Sequence, residues 1–394
     1  MTTTSTKVSV PLGRRDKEYY RLDVSNNLPP GTDIVEELER RPRLPRSPAL
    51  PRRSLPELPP RSERRGKWIS KYLDMLDPET EYDQIVRVCN FYSGSDFNTA
   101  LGYACVFVWL TSTPAGANAI HGGKVIRRGH QRYYETQYFN LQWVYWGSGA
   151  KQTREYAEKI NKIHAGVWKR APGTFHFAWE AQAAIILLSW YENYIRTVVG
   201  AKKQIHPQLK KAWPEWGERL TSRLVPESGS VVPNFGINYP RNWGEIDAFA
   251  NWFTNFDFDQ QRTEEDTIKG HETAEAFIHQ FSELWLPRPL HFLGRNIILT
   301  FLPPAIRQKQ RLEDPNPILQ WLVKAFFRTA INRSDSRPDP VDAPLEAFFD
   351  DLKSWDLSKI DKVEAARRDR ESRWIKVSAC AFVVLCALYR IVLL

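Results

Sequence analysis

The chain has 394 residues, enough for one large domain with appendages or two ordinary domains, and 42% of them are hydrophobic. Aromatics make up 13%, including 15 Trp, which equips the chain for a sizeable core or for a flat, greasy ligand. The net charge of +9 does not mark a nucleic-acid face. Between Arg40 and Arg65, nine arginines stand against Glu57 and Glu63, a net of +7 that leaves only +2 for the rest.

Residues 1–66 read as a disordered, Pro/Arg-rich arm. Pro42, Pro45, Pro48 and Pro51 recur every third residue, the period of polyproline II, so they line one edge of an extended segment. Such a segment is a stiff spacer, and residues 42–60 could also dock a proline-recognising partner or anionic lipid. Met1 to Asn27 holds no apolar run of the kind a signal peptide needs.

Residues 67–312 read as a helical domain. Ala100 to Leu110 is apolar and stops before Thr113-Pro114. Gln131 to Trp146 closes at Gly147-Ser148-Gly149. Trp179 to Val199 is apolar nearly all round and ends at Gly200, as a central buried helix does. Trp243 to Phe253, Glu264 to Trp285 and Leu290 to Leu302 follow. No run of short alternating strands and no internal repeat occurs, so the expected class is all-α.

His164 stands out among the polar residues. Tyr156, Ile160, Ile163, Val167 and Trp168 recur around it at helical spacing, which predicts a buried stripe that carries the imidazole. A buried imidazole needs a partner for each ring nitrogen: a carbonyl, a carboxylate, a metal or a haem iron. Other polar residues sit on apolar helices too: Arg132 and Thr136, four apart on one face, and then Asn193 and Arg196. Buried arginines need anions, which haem propionates could supply; Glu135 for Arg132 and Glu192 for Arg196 are the plainer partners. A rival set is His271, Glu275 and His279. Its two histidines lie two turns apart, about 12 Å along a helix axis, too far to share one ion. Cys89, Cys105, Cys380 and Cys386 form no metal-ligand or disulfide spacing.

Residues 313–374 turn polar and read as a tether, with a loop from Asp335 to Pro344 and a short helix from Glu346 to Leu352. Residues 375–394 read as a C-terminal transmembrane anchor. Val377 to Leu394 is an apolar run whose one charge, Arg390, lies near its end; Arg367, Arg368, Arg370, Arg373, Lys376 and Trp374 precede it. Its shortness suits a thin bilayer such as the endoplasmic reticulum, or another endomembrane, and the basic flank puts the body in the cytosol. A glycan on the Asn332-Arg333-Ser334 sequon would put the body in the lumen instead.

Three segments together resemble the MpaB-type and rubber-oxygenase family, which includes endoplasmic-reticulum-bound fungal oxygenases and latex-clearing proteins. They are Phe107-Val108-Trp109-Leu110-Thr111-Ser112-Thr113-Pro114, Gln131-Arg132-Tyr133-Tyr134-Glu135-Thr136, and Ile163-His164-Ala165-Gly166-Val167. Phe177 to Arg196, Phe235 to Pro240 with Trp243, Leu286-Pro287 and Phe301 to Arg307 continue the order, so the resemblance spans about Tyr82 to Leu312.

It implies an all-α bundle holding haem b, with His164 as the iron ligand and Arg132 and Thr136 beside the haem. Arg196 would add a propionate partner. The implied activity is a haem-dependent oxygenase that uses O₂ on a small lipophilic, prenyl- or terpenoid-like substrate, by cleavage of a C=C bond. Glu135 departs from the latex-clearing proteins, where a lysine precedes the threonine, which leaves the distal position open or water-filled. The C-terminal anchor departs from the N-terminal membrane segment of the fungal oxygenase. Two other classes remain: a non-catalytic membrane-tethered scaffold of the same fold, and a non-haem metal enzyme using His271, Glu275 or His279.

Overall fold

The computed structural model describes residues 58–175, 177–227, 234–236, 239–256 and 262–353. These are helical, with no strand among the described residues. Most of the arm and the whole C-terminal apolar run lie outside the described residues. Within them no single helix is long and apolar enough to cross a membrane.

The helices are α1 (Trp68–Asp74), α2 (Tyr82–Ser93), α3 (Asp96–Leu110), α4 (Pro114–His121), α5 (Lys124–Arg127), α6 (Gly129–Trp146), α7 (Lys151–Trp168) and α8 (Ala178–Val199). They continue with α9 (Pro207–Thr221), α10 (Trp243–Asn255), α11 (Glu264–Trp285), α12 (His291–Phe301), α13 (Pro304–Lys309), α14 (Pro317–Ser336) and α15 (Pro344–Lys353). Local chemistry sets many of their ends. Ser95 accepts the Asn98 N–H at the start of α3, and Thr113 accepts that of Gly116 with Pro114 in the first turn of α4. The Thr113-Pro114 pair thus stops one helix and starts the next. Gly200 ends α8 at φ +70°, a left-handed cap that a side chain would strain.

α3 lies at the centre, buried on all sides from Ala100 to Leu110, and packs against both α8 and α11. Trp109 donates its indole N–H to Thr254 of α10 at 3.1 Å and meets Trp190, Tyr191 and Tyr194 of α8 edge-on. Such buried aromatic pairs add directional packing to the area they remove from water.

Two boundaries differ from the sequence reading. The expected tether from residue 313 contains α14 and α15, and both belong to the body. α14 packs on α8 and α12, and α15 on α2 and α6. Phe349 of α15 is fully buried against Phe91 and Tyr145, 5.5 and 4.9 Å between ring centroids. A few well-placed apolar residues dock an otherwise polar segment. The last residues of the expected disordered arm also dock: Arg64 donates to the Tyr92 hydroxyl at 3.0 Å and to the Val341 carbonyl at 2.9 Å.

Candidate functional site

α6 and α7 run side by side, joined by a 2.8 Å hydrogen bond between the Tyr138 and Tyr156 hydroxyls. On its other side α7 joins a small second core, where Ala157 packs with Ala178, Ala181, Leu224 and Phe235, and Ile160 lies against it. The Asn161 amide holds the chain after α9, donating to the Arg223 carbonyl and accepting the Val225 N–H, both at 3.0 Å.

His164 lies one turn further on. The predicted stripe is only half sunk: Ile163 is 52% exposed, and only Thr153 and Ala157 of α7 are buried. The reason is position, because α7 is peripheral. His164 as a residue is therefore half-buried, but its Nδ1 is enclosed and has no hydrogen-bond partner among the described residues. Its ring lies flat on Phe175, 4.0 Å between centroids and 15° from parallel. Burial pushes its pKa from 6.5 down to about 3, and the nearby Arg132 guanidinium adds to the shift. The imidazole is neutral at pH 7 with a free nitrogen lone pair or N–H, the form that binds a metal ion.

Arg132 of α6 stands near enough to act on its charge, and Thr136, one turn along α6, is bonded to Arg132. Arg132 donates to the Thr136 hydroxyl, which in turn donates to the Arg132 carbonyl at 2.8 Å. The guanidinium also lies over the Phe107 ring, 5.3 Å from its centroid. Glu135, its plain sequence partner, is taken by Lys124 at 2.6 Å and Gln131 at 2.7 Å. No carboxylate pairs with Arg132 among the described residues. Tyr103 completes the group from α3; burial pushes its hydroxyl up to about 12, opposed by Arg132 and Thr136.

Arg196 stands apart. Its guanidinium donates to Glu192 at 3.1 Å, Asp335 at 2.8 Å and the Lys203 carbonyl at 3.3 Å, so existing carboxylates already answer its charge. The propionate role expected for it has no support in this arrangement. The Oδ1 of Asn193 is buried with no hydrogen-bond partner among the described residues.

The rival set divides among separate partners. His271 Nδ1 meets the Gln310 carbonyl at 2.8 Å, Glu275 is held by Arg295, and His279 Nδ1 lies 3.5 Å from Glu283. Among the described residues no three His, Cys, Asp or Glu side chains are grouped to hold a metal ion. Cys89 and Cys105 are buried thiols, and burial pushes Cys105 up to about 12, far from a reactive thiolate.

Phe175 carried no signal in the sequence. It has φ +58°, a left-handed conformation costing a bulky residue on the order of 1–3 kcal/mol. Only the fold reveals that this strained residue covers the face of His164. Tyr103 was equally hidden, being one aromatic among many in an apolar helix. Comparison of the chain with protein-family models and with curated proteins finds no match.

Proposed function

We propose that the chain is a membrane-anchored, haem b-dependent oxygenase of the MpaB and rubber-oxygenase type, acting on a lipophilic substrate. The observation that carries this reading is the meeting of two unmet valences: the neutral, unpartnered Nδ1 of His164 and the carboxylate-free guanidinium of Arg132. A metalloporphyrin answers both, with iron for the imidazole and a propionate for the arginine. Haem b would supply activation of O₂, so that one O₂ and one C=C bond give two carbonyl groups.

The protein's own residues do the rest. Phe175 covers the imidazole face, and the ring's Nδ1 is enclosed without a hydrogen-bond partner among the described residues. Thr136 holds the Arg132 side chain back against α6, which fixes the cation before any anion arrives. Phe107 and Tyr103 wall the group with aromatic surface and exclude water. The anchor at residues 375–394 would keep this site at an endomembrane where a prenyl- or terpenoid-like substrate is dissolved.

The test is the absorption spectrum of the purified chain before and after dithionite. The expected result is a Soret band with one haem per chain, lost in His164→Ala. Full haem occupancy in that variant rules out His164 as the ligand. A folded chain that takes up no haem or iron sinks the oxygenase reading.

A further inference from the structure

α14 is apolar on two faces. Its inner face docks the helix: Val323 and Phe327 are buried, and the Phe327 ring meets that of Phe301 at 4.8 Å between centroids. Its outer face has no use in the fold. Ile318, Trp321, Leu322 and Phe326, spaced i, i+3, i+4 and i+8, are 71%, 66%, 47% and 68% exposed. Among the described residues no other helix exposes more than one large hydrophobic side chain. The four therefore form a patch rather than the scattered singles of an ordinary surface.

Further along the helix the exposed surface turns cationic. Arg328 and Arg333, and Arg337 at the end of α14, are exposed, and no carboxylate pairs with them among the described residues. Lys202 and Lys203 lie beside them, because the Lys202 N–H donates to the Asn332 amide oxygen at 2.9 Å; both are exposed and equally unpaired. The acids close by are engaged elsewhere: Glu192 and Asp335 with Arg196, Asp339 with Lys67, Glu313 with Arg295 and Asp314 with Arg307.

This charge pattern selects the occupant. A second copy offers no free acid on the same face, so a symmetric dimer would press these cations against each other or against apolar surface. An anionic bilayer answers both parts at once. Its acyl boundary takes the apolar stripe, its phosphates and carboxylates take the arginines and lysines, and an indole such as that of Trp321 is at home between the two. We infer that α14 lies flat on an anionic bilayer surface, its stripe from Ile318 to Phe326 sunk into the lipid and its basic end on the headgroups. The contact is independent of His164 and does not rest on the haem reading.

The test places the purified full chain on vesicles of phosphatidylcholine and phosphatidylserine that carry a trace of phospholipid with a diazirine in its acyl chain. After photolysis, peptide mass spectrometry locates the label. Label is expected between Ile318 and Phe326, and none at Met75 or Ile268, which are exposed apolar residues on other helices. Omitting phosphatidylserine, or the double substitution Arg328→Gln with Arg333→Gln, is expected to lower the label on α14 about ten-fold. Trp321→Asp with Leu322→Asp is expected to abolish it with an unchanged melting temperature, since both side chains point away from the core. Label at residues 377–394 reports on the terminal apolar run separately: label on α14 without it sinks the anchor and leaves this contact standing. Label at 377–394 with none on α14, equal labelling of α14 without phosphatidylserine, or labelling of Met75 and Ile268 to the same extent overturns the assignment.

Discussion

His164 shows how one side chain can report on its surroundings through its proton. In the folded chain it stays neutral down to about pH 3, whereas the unfolded chain takes up that proton at the ordinary 6.5. Between those values the unfolded state holds more protons, so stability falls as pH drops from 6.5 towards 3 and is unaffected by this group above 6.5. The loss is on the order of 2 kcal/mol, less than the full shift would supply because the residue is half-buried. His164→Gln should flatten that limb of a urea-denaturation series taken from pH 7 to pH 4. An unchanged slope would mean that the imidazole is not held neutral. The sequence marked His164 as an unusual residue on an amphipathic helix. It could not show that Glu135 turns away to Lys124 and Gln131, leaving Arg132 without an acid beside that imidazole.

Helix ends in this chain were legible where a side chain does the capping. Glu264 to Trp285 matches α11 because Thr263 and Asp266 form a reciprocal capping box: the Thr263 hydroxyl accepts the Asp266 N–H at 3.1 Å, and the Asp266 carboxylate accepts the Thr263 N–H at 3.0 Å. Asp266 also accepts from Asn118 of α4 at 2.6 Å, so the cap ties α11 to its neighbour. Thr263→Ala should cost about 1 kcal/mol, read as a lowered urea midpoint with an unchanged slope. Helices whose apolar residues are few or whose start carries proline were less legible. α9 carries a buried stripe of Leu209, Ala212, Trp213, Trp216 and Leu220 but has Pro214 in its interior, and α14 exposes Ile318, Trp321 and Phe326, so its wet and dry faces are mixed. The sequon at Asn332 fell on α14 as well, where the amide oxygen accepts the Lys202 N–H at 2.9 Å.

At the scale of the molecule, the two ends of the described chain are locked together across about 270 positions of sequence. Asp339 accepts from Lys67 Nζ and from the Ile69 N–H, both at 2.9 Å, and its own N–H donates to the Gly66 carbonyl at 2.7 Å. Trp68 adds a 3.0 Å bond from its indole N–H to the Pro340 carbonyl. The Asp339 carboxylate is only 12% exposed, so its two bonds are worth more than a surface pair. Asp339→Ala should destabilise the chain by about 1–3 kcal/mol and raise amide exchange in α1 first. Unchanged exchange there would show that the closure contributes nothing. This lock is why residues 58–66 and 337–342 belong to the body, although their composition reads as arm and tether.

The sequence by itself determined the helical class, the central buried helices α3 and α8, and the identity of the polar residues that an apolar chain would not carry without reason. Those features follow from periodicity, capping and composition, which act within one turn or one helix. Only the tertiary structure decided which polar residues meet. It brought Arg132 to His164, sent Arg196 to Asp335 and folded Phe175 onto the imidazole. Each of these joins residues on different elements, and spacing along a chain carries no record of which helix faces will be pressed together.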